Sequence, residues 1–316
     1  MAKQMRKMLV LANLENSPGA DGKPNGNAHA MLVRNVTISP AVAEYADRAV
    51  IRPYMGASEQ IPTAIRTEVN FEVELAGSGD PAKPPKWGPL IQACGFSETL
   101  MGTDKPESPK STVYRLVSDG MKTITLYCYV DGLFQPVTSV RGTATLNLTT
   151  KEIPVIQFKF TGFYGEVADR PLPSPVDYSG FRTPLAVNHR NTSNWQFQGA
   201  TSPLQALTID LGNTVVHDTL VGQESVDITD RKVVGTASIE LGTVGQKNWW
   251  TAARDAVTGP LTITHGKAAG NTVVIAAPKV QASNLSYTNQ NNNLMLDANL
   301  TFVPDHGNDE LTITVT

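Results

Sequence analysis

The sequence Thr123-Ile124-Thr125, followed by Val140-Arg141-Gly142-Thr143-Ala144-Thr145-Leu146-Asn147-Leu148, returns in outline as Thr262-Ile263-Thr264 and Val280-Gln281-Ala282-Ser283-Asn284-Leu285. Both stretches alternate apolar and polar residues, which is typical of β-strands. The spacing of about 140 residues is too long for a solenoid repeat of roughly 20 to 50 residues. It therefore predicts two copies of one whole β-rich domain.

The similarity extends upstream in the same order. An alternating strand ends in Glu74-Leu75 and a nearby glycine, and another ends in Glu240-Leu241-Gly242. In each copy a short helical stretch with tryptophan follows, and the copy closes on an alternating apolar strand. The helical stretches are residues 87–93 and 248–256, and the closing strands are residues 155–163 and 294–302. The matched order favours duplication over chance resemblance between two sheet-rich segments.

Changes in composition divide the 316 residues into four segments. Residues 1–30 include a Gly-, Asn- and Pro-rich stretch and are predicted to form an N-terminal arm. Residues 31–165 and 206–316 are the two predicted β domains. Residues 166–205 are the predicted linker, where Pro171, Pro173 and Pro175 disfavour both helix and sheet.

The composition excludes several classes of protein. The formal net charge is −3, whereas a protein that grips nucleic acid needs a concentrated positive surface. No apolar run approaches the roughly 20 residues of a membrane helix. The apolar stretch of residues 8–14 is too short for a signal peptide. These features predict a soluble protein made in the cytosol.

No motif for catalysis, cofactor binding or metal binding is recognisable. The common phosphate-binding, dinucleotide-binding, metalloprotease and nucleophile-elbow patterns are missing, and the five histidines are widely spread. Cys94 and Cys128 are too few for a disulfide framework or a zinc site and are predicted to be partly buried thiols. Glu72 and Glu74 share one strand face, but a solvent or lumen face is favoured over acid/base work. We therefore predict no enzyme, no cofactor and no metal site.

Tryptophan leaves one alternative open. Trp87, Trp249 and Trp250 lie at the start of short amphipathic segments, which favours packing in the core, whereas the role of Trp195 is undecided. Exposure of Trp195, Trp249 or Trp250 in a groove would favour a carbohydrate-binding or adhesive virion protein with tandem β-sandwiches. A polysaccharide hydrolase would need two carboxylates about 5 to 9.5 Å apart across a cleft.

Four stretches carry a family resemblance. They are Leu32-Val33-Arg34-Asn35-Val36-Thr37-Ile38-Ser39-Pro40, Arg52-Pro53-Tyr54-Met55-Gly56, Phe71-Glu72-Val73-Glu74-Leu75-Ala76-Gly77-Ser78-Gly79 and Trp87-Gly88-Pro89-Leu90-Ile91-Gln92-Ala93-Cys94-Gly95-Phe96. They resemble the major tail tube proteins of long-tailed, non-contractile, siphovirus-type bacteriophages. The resemblance lies mainly in the first third of the chain, and the second half shares it through the duplication.

The resemblance implies a mainly β fold with two tandem tail-tube-like β-sandwich or split-barrel domains, each flanked by one short α-helix. In this family sheets join between subunits to line a ring, usually six-fold, so a chain with two domains needs three copies for a pseudo-hexamer. A secretion-system tube protein would share the fold but normally has a single domain. The family gives no catalytic residues to carry over.

The resemblance also implies sites and partners. We expect Glu72, Glu74 and Glu240 to face the lumen, where DNA passes without specific binding. Ring stacking is expected to use Arg48, Arg52, Tyr54 and Met55, together with an arm formed by residues 5–27. The expected partners are further copies of the chain and the tail tip, tape-measure and tail terminator proteins, with assembly in the bacterial host cytoplasm into the virion tail and no membrane insertion.

Overall fold

The computed structural model describes residues 3–102 and 110–316 and is mainly antiparallel β-sheet. The strands are β1 Met8–Leu14, β2 Ala30–Met31, β3 Arg34–Asp47, β4 Gln60–Glu74, β5 Phe96–Met101, β6 Ser111–Leu116, β7 Ile124–Val130, β8 Leu133–Thr149, β9 Val155–Tyr164, β10 Ala168–Asp169, β11 Thr192–Phe197, β12 Leu204–Asp210, β13 Asn213–Leu220, β14 Gln223–Arg231, β15 Val234–Glu240, β16 Thr258–His265, β17 Val273–Gln290, β18 Asn293–Val303 and β19 Thr312–Val315. The helices are α1 Gly26–His29, α2 Gly88–Gln92 and α3 Trp249–Arg254.

Six strands follow the same order in each half of the chain. In the first half the hydrogen-bonded order is β3-β4-β9-β8-β7-β1. In the second half it is β12-β15-β18-β17-β16-β11, and every pairing is antiparallel. Helix α2 follows β4 and helix α3 follows β15. The predicted mainly β fold is confirmed, and a short helix follows the second strand of this order in each half.

The two halves also match in register. Val140 of β8 pairs with Ile124 of β7, and Val280 of β17 pairs with Gly259 of β16. From each of these pairs to the next paired residues, the longer strand (β8 or β17) advances by three residues and the shorter strand (β7 or β16) by two. Such a β-bulge is a specific feature of a sheet, so its recurrence allows the positions of the two halves to be equated residue by residue.

One core and several strand pairings connect the halves. The main cluster of buried apolar side chains draws on both halves and includes Trp87 and Trp249, which are 1% and 2% exposed. The indole Nε1 of Trp87 donates to the carbonyl of Ala76 at 2.8 Å, which satisfies its one polar group. Strand β19 pairs with both β17 and β6. The division into two domains at residues 31–165 and 206–316 stays a prediction.

The predicted arm and linker each contain a strand of the fold. Strand β1 pairs along its length with β7, and residues 9–12 within it are buried. Strand β11, from residues 192–197 of the predicted linker, pairs with β16 and buries Phe197. Residues 8–14 therefore contact the core of their own chain, which corrects the expectation that the whole of residues 5–27 is an arm reaching a neighbour.

Both cysteines are buried with free thiols. Burial raises the pKa of the Cys94 thiol and raises the pKa of Cys128 to about 12. Because the thiolate is the reactive form, both groups are inert at neutral pH. Within residues 3–102 and 110–316, none of the helices has the length and apolar character needed to cross a bilayer.

Glu15, which follows β1, is a buried carboxylate that ties three segments together. It is 6% exposed. It accepts hydrogen bonds from the hydroxyls of Thr123 and Thr125 at 2.7 and 2.8 Å, and from the backbone N–H groups of Ser139 and Gly19 at 2.8 and 2.9 Å. Ser139 is the left-handed residue of the β8 bulge, with φ +52°, so Glu15 holds the bulge in place.

Replacement of this carboxylate is expected to destabilise the fold. The variant Glu15→Ala leaves buried donors without an acceptor, and we expect a loss of about 3 kcal/mol in the free energy of unfolding. Urea denaturation of the unassembled chain measures it. Glu15→Gln keeps one oxygen acceptor and is expected to lose less, so an alanine variant as stable as the wild type would contradict this role.

Candidate functional site

The two halves join through one pair of strands, β8 of the first and β12 of the second. Residues 145–149 of β8 pair with residues 206–210 of β12. Leu146 faces Ile209, and Leu148 faces Leu207, with all four side chains fully buried. The result is a continuous run of eight strands in the order β3-β4-β9-β8-β12-β15-β18-β17.

Both ends of this eight-strand sheet are open in the single chain. Among the described residues, β3 pairs only with β4, and β17 beyond Gln281 pairs only with β18. The open part of β17 carries Tyr287, which is 59% exposed. Unpaired N–H and C=O groups on a sheet edge are a template for pairing with another chain.

The two open strands correspond in position to the two strands that join the halves: β3 corresponds to β12, and β17 corresponds to β8. The paired row Glu74–Val155–Asn147 of the first half corresponds to the row Glu240–Met295–Thr288 of the second half. The row Thr37–Asn70–Lys159–Thr143 corresponds in the same way to Thr208–Thr236–Asn299–Ser283. Asn147 and Thr208 pair across the internal junction, and their counterparts at the open ends are Thr288 and Thr37.

The three predicted lumen residues lie on one face of this sheet. Glu72 and Glu74 alternate along β4 with Phe71 and Val73, which are buried in the core. Glu240 occupies the position in β15 that Glu74 occupies in β4, so the structure brings these carboxylates to the same polar face. The face is defined as the side of the eight strands that lies opposite the core.

This polar face carries an excess of unpaired negative charge. Glu72 is held by Arg34 Nε at 2.8 Å and by Gln157 Nε2 at 2.8 Å, and Glu68 is paired with Arg66 at 3.0 Å. In the described part of the chain, four further carboxylates of the face have no ion-pair partner, and the one cation of the face without such a partner is Lys159; the four carboxylates are Glu74, Asp210, Glu240 and Asp297.

The four predicted stacking residues lie together on a loop, residues 48–59, which connects β3 to β4. Arg48 and Arg52 approach the Glu59 carboxylate at 3.2 and 3.9 Å. Tyr54 is 67% exposed and Met55 is fully exposed. The loop therefore presents two large, exposed side chains beside an ion-paired cluster.

A second hairpin, residues 213–231, was not predicted from the sequence. Strands β13 and β14 form a separate two-stranded sheet that packs against β8 and β9. Arg141 of β8 donates to the Val226 carbonyl at 2.8 Å and forms an ion pair with Asp227. The signal that could have revealed it is the alternation of Val215 and His217 in β13 and of Val226 and Ile228 in β14.

The indole rings of Trp195, Trp249 and Trp250 are buried or half-buried. Trp249 is 2% exposed. Trp195 and Trp250 are half-buried, and their indole N–H groups donate to the Ser202 carbonyl at 2.8 Å and the Tyr287 hydroxyl at 2.9 Å. No cluster of three or more His, Cys, Asp or Glu side chains suited to a metal ion occurs in the described ranges.

Comparison with known proteins gives one family. A family model described as "Phage tail tube protein" matches residues 9–304 of the chain. No curated protein matches the chain. The match runs from the second residue of β1 to the residue that follows β18, and so includes both halves and the junction between them.

Proposed function

The chain belongs to the phage tail tube protein family, whose model covers residues 9–304, and we propose that it builds the tube as stacked rings of three chains around a DNA-conducting lumen. Membership in this family makes the chain a structural component of the virion tail that assembles with itself, and not an enzyme. The number of chains per ring, the lumen and the stacking surfaces are the proposal.

The observation that carries three chains per ring is the repeated strand order around the β8–β12 junction. If the open edge of β17 pairs with β3 of the next copy as β8 pairs with β12, each chain adds two equivalent units to the ring. Three chains then give a pseudo-hexamer. A head-to-tail contact closes into a ring when the rotation between copies divides a full turn, here into three, and closure leaves neither edge of the eight-strand sheet exposed.

We propose that the polar face lines the lumen. Its unpaired carboxylates, Glu74 and Glu240 among them, repel the phosphates of DNA. Glu72 lies on the same face and is paired with Arg34. Attraction between cations and phosphates would instead hold the DNA through a salt-dependent contact. DNA therefore passes during ejection without specific binding.

The stacking of rings is assigned to the loop of residues 48–59. Arg48, Arg52, Tyr54 and Met55 are exposed there, and Arg and Tyr are common anchors of interfaces. The further partners are the tail tip, tape-measure and tail terminator proteins of a siphovirus-type phage, and assembly takes place in the host cytoplasm.

Electron microscopy of the purified full-length chain tests the tube itself. We expect hollow tubes, or rings with a central channel, at high protein concentration. A protein that remains monomeric at every concentration, with or without the other tail proteins of its phage, would contradict the proposal.

The lumen assignment predicts a gain of DNA binding on charge reversal. Assembled Glu74→Lys/Glu240→Lys tubes are expected to retain short duplex DNA that wild-type tubes release, with retention falling steeply as salt rises. Filter retention of labelled DNA at several salt concentrations measures it. The matched control Asp119→Lys/Glu166→Lys makes the same charge change in exposed loops, with Glu166 beyond the opposite end of β9 from Val155; equal retention by this control would contradict a lumen position for Glu74 and Glu240.

A further inference from the structure

The outer part of the β3–β4 hairpin, residues 42–66, has the same local structure as the β13–β14 hairpin. It is called the arm from here on and is distinct from the N-terminal arm predicted from the sequence. In each hairpin one threonine is bulged out of the second strand. The hydroxyl of Thr63 donates to the Glu44 carbonyl at 3.1 Å, and that of Thr229 donates to the Thr214 carbonyl at 3.4 Å. Both hairpins follow the first strand of their half, so they are equivalent parts of the repeat.

The β13–β14 hairpin covers the first half of the chain with one of its faces. Val226 on this face is 1% exposed, and the His217 side chain is likewise 1% exposed, with its ring 6.2 Å from that of Phe163 in β9. Ile228 lies on the same face and reaches the end of helix α2: a Cβ placed on Gly95 would lie 3.8 Å from its Cδ1. The hairpin therefore buries this surface.

The equivalent face of the arm is uncovered. The counterparts of Val215 and Ile228 are the directly paired Tyr45 and Pro62. Tyr45 is 55% exposed, and Pro62 is exposed beside it. The face that is buried in the β13–β14 hairpin is therefore exposed to solvent in the arm.

The second half has an equivalent of the surface that the hairpin covers in the first half, and this equivalent surface is exposed. Each of the helices α2 and α3 is followed by a left-handed residue, Gly95 with φ +87° and Ala256 with φ +52°. Gly95 is buried, whereas Ala256 is exposed and its neighbour Val257 is 41% exposed. The second half thus presents, without a cover, the place where β13–β14 packs in the first half.

The contact between the first half and the β13–β14 hairpin contains an ion pair, whereas the equivalent residues of the second half and the arm are both uncharged. Arg141 of β8 is paired with Asp227 of the β13–β14 hairpin. The position equivalent to Arg141 in β17 is Gln281, and the position equivalent to Asp227 in the arm is Ile61. An arm packed on the second half therefore buries no unpaired charge at this contact. Burial of an unpaired charge would be costly.

We infer that the arm of one copy packs on the second half of the neighbouring copy in the same ring, with Tyr45 and Pro62 against Ala256 and Val257. The inference rests on the ring of the proposed function, because the rotation that places β3 beside β17 also places the arm over this surface. The loop of residues 48–59 extends from the tip of the arm and remains available for the next ring.

Cross-linking between two cysteines tests this contact in the assembled protein. Rings of Pro62→Cys/Ala256→Cys treated with a short bis-maleimide are expected to give covalently linked chains. Pro62→Cys/Asn292→Cys is the matched control, because Asn292 lies in the exposed turn after β17, at the far end of that strand from Gln281, and should give no link. Cys94 and Cys128 are buried and add no background.

A second variant tests the energetics of the same contact. Tyr45→Asp changes an exposed residue, so the chain should fold, and the protein concentration needed for assembly is expected to rise about tenfold or more. Ala46→Asp places the same charge on the other face of the arm and should change it less. Equal effects of the two substitutions would overturn the inference.

The inference and the proposed function can fail separately. Rings in which Thr37→Cys and Thr288→Cys form a disulfide while the Pro62/Ala256 pair stays unlinked would overturn the arm contact alone. Absence of rings under every condition would overturn both.

Discussion

The double variant Thr37→Cys/Thr288→Cys is expected to form disulfide-linked chains that end at a covalent trimer. The two positions are the counterparts of Thr208 and Asn147, which pair directly across the β8–β12 junction. Directly opposed residues in antiparallel strands have Cα atoms about 4.5–5.5 Å apart, within the range of about 4.4–6.8 Å that a disulfide requires. Oxidation of assembled protein and a non-reducing gel measure the product.

Register provides the control for this experiment. In Thr37→Cys/Tyr287→Cys the second cysteine is moved by one residue, which turns its side chain to the other face of the sheet. Because the native thiols are buried, this variant is expected to remain unlinked. Equal linkage of the two variants would contradict the register, and a ladder that extends beyond three chains would contradict the closed ring of three.

Replacement of residues 48–59 by Asn-Gly is expected to leave rings intact and to abolish tubes. Asp47 and Gln60 pair directly at the base of this loop, so a two-residue connection can close the hairpin without disturbing its register. The β13–β14 hairpin closes in this way, with Leu220 paired to Gln223. The shortened chain loses Arg48, Arg52, Tyr54 and Met55 but keeps Tyr45 and Pro62, so only contacts between rings are removed. Sedimentation and electron microscopy separate rings from tubes.

The second hairpin supplies a matched control for the loop. Replacement of Val221-Gly222 by Asn-Gly changes a tip that has no assigned role in stacking, and this variant is expected to form tubes of normal length. Tubes formed by the shortened 48–59 variant at the wild-type protein concentration would contradict the assignment of stacking to this loop.

The features that depend on local pattern could be predicted from the sequence. The alternation along residues 67–75 and 233–241 predicted strands, and the shared Glu-Leu ending aligned Glu74 with Glu240, which the structure places at equivalent positions. Trp87 and Trp249 were correctly assigned to the core. Local periodicity reports which side of an element is apolar, and these features require no more than that.

The features that depend on which strands pair with each other could not be predicted from the sequence. Residues 192–197 read as linker because they are short and polar, and only their pairing with β16 makes them a strand. The pairing of residues 145–149 with β12 leaves no local mark either, because a strand at an open edge and a strand inside a sheet alternate alike. A second bulge, between Ser283 and Ser286, also shifts the repeat by one residue, so the sequence alignment loses register at the open end of β17.

The number of chains in one layer of the tube tests the account most directly. Cryo electron microscopy of assembled protein, with the mass of isolated rings measured alongside, gives this number. The account predicts three chains per layer, with the first and second halves alternating as six similar units around the channel and the β17 edge of each chain paired with β3 of the next. Six chains per layer, or a layer in which the second half lies outside the ring wall, would contradict it.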